Sequence, residues 1–469
     1  MNAVSFRWYG VYRILTVEEL AQIYQQRLGG KPDLCCYWFE RARTHIADGK
    51  CQRVGLLATQ GIRGGTNRNV LKAIKRTGDI FFAESDRPWI LSGANVHISM
   101  VGFDDGTEKN RIIDGKAVSD INPNLTIGAD TTCAIILNEN SGISFQGAIK
   151  RGSFDIPSQL ALTMLKKGGN PHGKPNSDVI VPYVNGIDVT RQYRDMWIIN
   201  FRDGYPKDQA SLYETPFEHL LKNVRAEREA TNQQKSRDEW WLHWCTRSEM
   251  TEKIINLPRF IVTARVAKHR IFAWLSAPSY VDCQLIAFAR SDDYFFGVLH
   301  SRIHEVWALM QGTQLESRPR YTPTTCFETF PMPRATAEQR EVIAAAAREL
   351  NELRNNWLKP PEWVVEEILE FPGSLAGPWA HYVTGADNNG IGTVRYPRLV
   401  PRDAGHRDLL AKRTLTNLYN ERPAWLDNVH RKLDAAVYTA YGWDPDISDD
   451  ELLSKLLALN LERAAEEKT

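Results

Sequence analysis

Apolar and polar positions between residues 33 and about 104 follow two different periods. Over 68–78 apolar residues recur at 70, 71 and 74 before Gly78, a pattern typical of a helix and its end. The whole stretch reads as helices at 32–46 and 68–78 and as strands at 53–59, 79–86 and 94–103. A strand, a glycine-rich loop, a helix and two strands make up half of a doubly wound α/β sheet. The pattern therefore predicts a partial sheet of that kind.

The remaining sequence predicts two further regions. Up to residue 334, turn clusters separate short strands and helices, which is typical of an α+β domain. Beyond it the apolar period is mostly helical, and the first helix begins with the Thr-x-x-Gln pattern of a capping box. We therefore predict three domains: 1–145 with the partial sheet, 146–334 with an α+β fold, and 335–469 as a mostly helical region.

Charge and composition narrow the class of protein. The 469 residues carry a net charge of +1, but 147–334 hold 25 Lys and Arg against 20 Asp and Glu. This part is therefore basic in a neutral chain. No stretch reaches the roughly 18 consecutive apolar residues of a membrane helix, and the first residues lack the pattern of a secretory signal. The seven cysteines form no disulfide framework, so we expect a cytoplasmic protein without a membrane partner.

Two motifs point weakly to chemistry. The loop QGIRGGTNRN lies between a predicted strand and helix, where backbone N–H groups can bind a phosphate, but turning the chain explains its glycines equally well. His300 and His304 are four residues apart, the spacing of two metal ligands on one helix face. The glutamate of a zinc peptidase would lie between them, whereas Glu305 follows them. We expect no metal and favour a partly buried helix.

Basic and aromatic residues concentrate between 259 and 321. Arginine can bind phosphates and can donate to two acceptors on a guanine edge, so such a cluster suits DNA. A surface with ordinary salt bridges is the simpler interpretation, in which the arginines near 320 pair with Glu316 and Glu328. The cluster consists of Arg259, Arg265, Lys268, His269, Arg270, Arg318, Arg320 and Tyr321.

Seven segments in one order resemble the MmeI-like class of DNA methyltransferases, which act in restriction-modification and phage defence. They are DLCCYWFERA, RVGLLATQGIRGG, GDIFFAESDRPWILSGANVHISMVGF, NPHGKPNSDVIVPYVNGIDVT, PRFIVTARVAKHRIF, DDYFFGVLHSRIHEVWAL and RPRYTPTTCFETFPMP. The resemblance runs from about residue 33 to 334 and continues weakly into the C-terminal region. It implies that 1–145 is the distal part of a methyltransferase domain and 146–334 a target recognition domain for double-stranded DNA. Members of this class transfer a methyl group from S-adenosylmethionine to the N6 amine of adenine.

The sequence departs from that class at the reaction centre. It contains no glycine-rich cofactor loop of the expected kind and no Asn/Asp-Pro-Pro-aromatic tetrad, the motif that holds a flipped adenine. Its one Pro-Pro pair, Pro360-Pro361, lies between Lys359 and Glu362. We therefore expect no catalytic or cofactor-binding residues in this chain. A separate N-terminal methyltransferase polypeptide would supply them. The alternatives are an inactive remnant and a DNA-binding module that does not methylate.

The resemblance places the basic cluster in the recognition domain. We predict that Arg265, Lys268, Arg270, Arg318, Arg320 and Tyr321 face the DNA. We expect Arg259, which follows a proline, to be structural, and Trp240 and Trp241 to pack in the interior. The prolines after Tyr321 should hold the end of the recognition domain stiff.

Overall fold

A computed structural model describes residues 4–8, 11–15, 17–24, 27–30, 32–91, 94–315 and 318–468. The chain separates into two compact units that alternate along the sequence. Unit 1 comprises 1–135, 309–318 and 448–469, and unit 2 comprises 136–308 and 319–447. The predicted three-domain division follows consecutive segments, whereas these units do not.

The first segment begins with a short hairpin and continues with three helices and the strands of a sheet. Its elements are β1 (Val4–Trp8), β2 (Val11–Leu15), α1 (Val17–Tyr24), α2 (Cys35–Ala47), β3 (Arg53–Thr59), α3 (Arg68–Thr77), β4 (Asp79–Leu91), β5 (Ala94–Asp104), β6 (Arg111–Ile113) and β7 (Lys116–Val118).

The middle of the chain contains short strands and helices. They are β8 (Ser144–Gln146), β9 (Asp155–Pro157), α4 (Ser158–Lys166), β10 (Ile180–Val184), α5 (Gly186–Thr190), β11 (Met196–Ile199), α6 (Lys207–Ser211), α7 (Glu214–Asn223), α8 (Arg225–Glu229), α9 (Gln234–Asp238), α10 (Ser248–Ile254), β12 (Phe260–Ala264), β13 (Phe272–Leu275), β14 (Tyr280–Val281), β15 (Leu285–Phe288), α11 (Asp293–His300) and α12 (Arg302–Gln311).

The last part of the chain contains longer helices and the strands of a further sheet. Its elements are β16 (Thr313–Leu315), β17 (Arg318–Arg320), α13 (Ala337–Leu358), β18 (Val364–Ser374), β19 (Val383–Thr384), β20 (Ile391–Pro401), α14 (Ala404–Leu410), α15 (Leu415–Glu421), α16 (Ala424–Tyr441) and α17 (Asp449–Glu466). A single π-helical turn covers Pro323–Phe327.

The sheet of unit 1 has the strand order β3-β5-β4-β6-β7. β5 is antiparallel to both β3 and β4, so those two strands run in the same direction, and α3 connects them. β6 is parallel to β4 and β7 is antiparallel to β6. Every element predicted between 32 and 104 is present. A doubly wound sheet is mostly parallel, and three of these four pairings are antiparallel. The fold is therefore a mixed α/β fold, and the predicted doubly wound sheet is not confirmed.

Unit 1 packs its helices on this sheet. The stacked rings of Phe39 on α2 and Phe103 on β5 lie 6.0 Å apart in a core that also contains Cys36. Cys36 is fully buried, as expected for a small apolar side chain. The buried Asn460 on α17 exchanges two hydrogen bonds with the backbone of Ile135, donating at 2.8 Å and accepting at 2.9 Å. These bonds join two segments of unit 1 that lie far apart in the sequence.

Unit 2 is built on three antiparallel or mixed sheets. The first has the order β14-β10-β11-β9, the second β13-β12-β15-β8 and the third β18-β20-β19. In the third, β18 and β20 pair from Val364 opposite Pro401 to Ser374 opposite Ile391. Phe371 of this sheet and Trp197 of the first lie in one core, so the first and third sheets share an interior.

Two segments differ from what their sequences suggest. The glycines and prolines of 371–390 suggest a loop within the helical region, but the segment contributes to the sheet β18-β20-β19, in which the alternation around Leu369 and Phe371 buries one side of β18. The charged segment 216–244 suggests one long helix, but it is divided into α7, α8 and α9 because the chain turns at Val224 and again before Gln234. By contrast, α13 begins with the predicted capping box between Thr336 and Gln339.

None of the helices within the described ranges combines the length and the apolar character needed to cross a bilayer.

Candidate nucleic-acid interface

The basic cluster lies on a loop and a strand that are joined by backbone hydrogen bonds. Residues 265–271 connect β12 to β13, and we call them the basic loop. Tyr321 donates its N–H to the carbonyl of Arg265 at 2.7 Å, and Ala267 donates to Pro319 at 3.3 Å. Val266 thereby lies opposite Arg320 in an antiparallel bridge. The basic loop and residues 319–321 therefore form one hydrogen-bonded piece of unit 2 that carries the candidate cations.

The buried Arg270 holds the basic loop and Pro319 together. Its guanidinium donates to the hydroxyl of Thr263 at 3.1 Å, to the carbonyl of Ala264 at 2.5 Å and to the carbonyl of Pro319 at 3.3 Å. It also lies 5.0 Å from the centre of the Tyr321 ring, within the range of a cation–π contact. Burial lowers the pKa of Arg270. A buried arginine with these partners holds the backbone and does not present its charge to solvent, which corrects its predicted role as a DNA contact.

Tyr321 is also internal. It is 1% exposed, and its hydroxyl lies 3.0 Å from Nε2 of His304. Nδ1 of His304 donates to the carbonyl of Leu299 at 3.0 Å, so Nε2 is the acceptor for the tyrosine hydroxyl. Tyr321 therefore anchors the segment after β17, and its ring is not available to a base. The sequence could not reveal this, because aromatic rings pack and stack with equal ease.

Three cations of unit 2 remain at the surface of this piece. Lys268 is exposed, and Arg265 and Arg320 are half-buried. Within the described part of the chain, none of the three forms a salt bridge with a carboxylate. Burial lowers the pKa of Arg265, and the positive charge of Arg320 lowers it further. The Nε of Arg320 is enclosed, and no hydrogen-bond partner for it is found within the described ranges. Such a group of like charges is poised to bind an anion.

Lys268 and His269 share one partner. The side-chain oxygen of Asn420 on α15 accepts from Nζ of Lys268 at 2.6 Å and from Nε2 of His269 at 2.9 Å. Asn420 is 151 residues from His269 in the sequence. Since no local pattern connects them, the sequence analysis missed this residue.

Arg318, the first residue of β17, is exposed and belongs to unit 1. Of the two glutamates considered as its alternative partners, Glu316 lies outside the described residues. Glu328 is half-buried, and burial raises its pKa. The proposed roles of Arg318 and its neighbours in DNA contact stay predictions.

Asn140 fixes the end of the segment that follows Tyr321. Its buried amide donates to the carbonyl of Phe327 at 3.1 Å and to that of Phe330 at 2.7 Å. Asn140→Ala should leave both carbonyls unsatisfied and lower the free energy of unfolding by about 1–2 kcal/mol, as measured by urea denaturation. Ser141→Ala, at the exposed position that follows Asn140, is the matched control and should change it by less than about 0.5 kcal/mol. An equal loss in the two variants would contradict this role.

His300 and His304 do not share a helix face. α11 ends at His300 and α12 begins at Arg302, so the four-residue spacing crosses a break. Nδ1 of His300 donates to the carbonyl of Phe296 at 3.2 Å, and Nε2 accepts from the N–H of Phe272 at 3.1 Å and from Arg354 at 2.8 Å. Both histidines therefore support backbone and neighbouring side chains.

The glycine-rich loop also has a structural explanation. Asn67 accepts from the backbone N–H of Asp33 at 2.8 Å and donates to its carboxylate at 2.7 Å. Arg63 donates to the carbonyl of Asn124 at 3.1 Å, and a Cβ at Gly64 would lie 2.9 Å from a methyl group of Thr313. These contacts of Arg63, Gly64 and Asn67 give the loop a structural role within unit 1.

Arg259 and the tryptophan pair have the structural roles expected of them. Arg259 pairs with Asp293 at 2.7 Å and lies 3.9 Å from the centre of the Trp274 ring. Trp240 is buried in the core of unit 2, and Trp241 donates to the carbonyl of Tyr205 at 2.9 Å.

The basic loop lies in the part of the chain that matches a known family. Residues 131–334 match the family model described as the MmeI target recognition domain. This range contains the basic loop and β17 but not Asn420. The resemblance recognised in the sequence is thereby confirmed for the recognition segment. No curated protein matches the chain.

Solved structures extend the similarity to the fold of the whole chain. A structure of the type IIL restriction-modification enzyme MmeI in complex with DNA matches with a TM-score of 0.68 and 17% sequence identity. The alignment covers 95% of this chain and 55% of that chain, so this chain spans about half the length of that enzyme. The type IIG restriction endonuclease BpuSI aligns with a TM-score of 0.24 and 8% identity over 91% of this chain and 52% of that one, and this low score carries no argument.

Proposed function

We propose that this chain recognises a specific sequence in double-stranded DNA as part of a restriction-modification system. The observation that carries the proposal is the group of three cations, Arg265, Lys268 and Arg320, which lack carboxylate partners among the described residues. They lie on two segments that are joined by backbone hydrogen bonds, within residues 131–334, which match a target recognition domain. Lysine and arginine contacts to phosphates supply affinity, and arginine contacts to base edges supply sequence preference.

In this proposal the role of Arg270 and Tyr321 is to keep the cations in register with the duplex. A loop on rigid support loses little conformational freedom on binding, which favours affinity. Each good bidentate contact with a base adds about 1–3 kcal/mol of discrimination. Arg265 and Arg320 are the candidates for such contacts, and Lys268 is a candidate for a phosphate.

The reaction served by this recognition is adenine N6 methylation with S-adenosylmethionine as the methyl donor. The resemblance of residues 33–104 to the distal part of a methyltransferase domain supports it. In this proposal a separate methyltransferase polypeptide in the cytoplasm supplies the cofactor loop and the catalytic tetrad. The recognition surface would then offset the few kcal/mol needed to flip the adenine.

A DNA-binding module that does not methylate is the second candidate, and an inactive remnant the third. The hydrogen bonds between Asn67 and Asp33, which give the glycine-rich loop a structural role, favour both over a self-sufficient enzyme. Titration of the chain with S-adenosylmethionine by calorimetry separates self-sufficiency from the other cases, because measurable heat would contradict the need for a partner. Methylation of duplex DNA after addition of the partner polypeptide would separate a split enzyme from a remnant.

The decisive experiment is duplex binding by the double variant Arg265→Ala/Arg320→Ala. We expect at least a tenfold loss of affinity at 0.1 M salt and a reduced slope of log affinity against log salt. Each lost phosphate contact should reduce that slope by about 0.9. Fluorescence anisotropy on a library of duplexes would measure both affinity and sequence preference.

The control is Arg225→Ala/Arg395→Ala. These arginines pair with Glu229 at 2.7 Å and with Glu370 at 3.0 Å, so their charges are already neutralised locally. We expect this control to bind as the unmodified protein does. Equal binding by both double variants would refute the proposed surface, and absence of any duplex binding at low salt would refute the proposed function.

A further inference from the structure

Helix α15 contacts the end of α5 and the basic loop, both in unit 2. At one end the hydroxyl of Thr416 donates to the carbonyl of Thr190, the last residue of α5, at 2.7 Å. At the other end Asn420 accepts from Lys268 and His269 of the basic loop. Leu415 and Leu418 are buried between these contacts, and Asn420 is exposed. The buried leucines therefore hold α15 in the interior on one side, and Asn420 lies at the surface beside the basic loop.

Asn420 is a partner that leaves Lys268 positively charged. An asparagine oxygen accepts a hydrogen bond from an ammonium group without neutralising it, whereas a carboxylate at the same place would form an ion pair. One oxygen receives both donors, so Lys268 and His269 are drawn together at a fixed point. An ammonium group has three donors, and among the residues that the structure describes Lys268 donates to Asn420 alone, so two of its donors remain for an anion. Asn420 thus limits the freedom of a long side chain and leaves its charge intact.

We propose that Asn420 is a positioning residue that holds Lys268 for contact with a phosphate of the DNA backbone. The DNA-facing surface then extends beyond residues 131–334 onto α15. This inference rests on the proposed function, because it assigns a further part of the same surface. The occupant is the phosphodiester backbone of a duplex, and Asn420 acts on it only through Lys268.

The test is duplex binding by Asn420→Asp. The new carboxylate would lie where the amide oxygen accepts from Lys268 at 2.6 Å, and it would neutralise that charge. We expect the slope of log affinity against log salt to fall by about 0.9, which corresponds to about 5- to 10-fold weaker binding at 0.1 M salt. Asn420→Ala leaves Lys268 charged but unheld, so affinity should fall about 2- to 5-fold with little change of slope. A merely structural role would not separate the two variants in this way.

Asn428→Asp is the matched control. Asn428 is also exposed, and its side-chain oxygen also accepts from a cation, Arg431, at 2.6 Å. The substitution adds the same negative charge, but we expect the slope to stay unchanged. Equal slopes for Asn420→Asp and Asn428→Asp would overturn the inference while leaving the proposed function intact. Failure of the unmodified chain to bind duplex at low salt would instead refute the proposed function. Urea denaturation of each variant verifies that it is folded.

Discussion

Replacing Arg270 with methionine should lower the free energy of unfolding by about 3 kcal/mol and weaken duplex binding at least tenfold. Methionine fills much of the same space but donates no hydrogen bonds. The carbonyls of Ala264 and Pro319 would lose their donor, and each buried unsatisfied group costs about 1–3 kcal/mol. Because these bonds connect the basic loop to β17, their loss should also release Arg265 and Arg320 from their common support.

Urea denaturation would measure the stability, and anisotropy at a temperature where the variant is folded would measure binding. Arg259→Met is the control. Arg259 also contacts an aromatic ring, that of Trp274, and pairs with Asp293, but its side chain is 35% exposed to solvent. We expect it to cost less than about 1 kcal/mol and to leave binding unchanged. If Arg270→Met retained full affinity while folded, the supporting role of Arg270 would be wrong.

Lowering the pH from 7 to 4.5 should reduce the free energy of unfolding by several kcal/mol. Burial lowers the pKa values of His243, His304 and His430 to about 3 and that of His300 well below its ordinary value, and the charge of Arg354 adds to the shift for His300 and His430. An unfolded histidine takes up its proton near pH 6.5. Between about pH 6.5 and 3 the unfolded chain therefore binds more protons than the folded one, and stability falls as the pH falls.

Buried carboxylates oppose this trend. Burial raises the pKa of Asp434 to about 6, and its oxygen accepts from the backbone N–H of Arg302 at 2.7 Å; burial also raises the pKa values of Asp178 and Glu328. The contribution of each is present below the unfolded pKa of about 4 and is lost as the pH rises through the folded pKa. Burial also lowers the pKa values of His172 and His219, so the histidines outnumber the opposing carboxylates and acid should still destabilise the fold.

Urea denaturation at pH values between 4.5 and 7 would give the slope of stability against pH, which counts the protons taken up on unfolding. His304→Gln should reduce this slope by about one proton near pH 5. Val298→Ala removes a fully buried apolar side chain, so it should lower stability without changing the slope. An unchanged slope in His304→Gln would show that His304 is not held neutral in the fold.

The sequence predicted local elements well where the period of apolar residues was long. The helix at 337–358 follows from its capping box and its repeated alanine and leucine positions, and the strands at 53–59 and 94–104 follow from apolar runs between turns. The same reasoning failed at 371–390, where glycines and prolines suggested a loop. Parts of this segment belong to a sheet within 364–401, because Leu369, Phe371 and Val394 are buried in a core provided by other segments.

The candidate site was predicted as a set of residue types and was sorted only by the fold. Arg265, Arg270 and Arg320 are equivalent in the sequence, yet Arg270 is internal and the other two reach the surface. Tyr321 could not be assigned to packing before the position of His304 was known. Whether the surface residues contact DNA stays a prediction.

By itself, the sequence determined which segments become helices and strands, where the basic residues concentrate, and which family the recognition segment resembles. These properties depend on side-chain period, charge and order along the chain, and all of them are local or linear. Only the tertiary structure decided the strand order of the sheets, the burial of Arg270 and Tyr321, and the contact between Lys268 and Asn420. Each of those depends on groups that are far apart in sequence, and what brings them together is the burial of a common core.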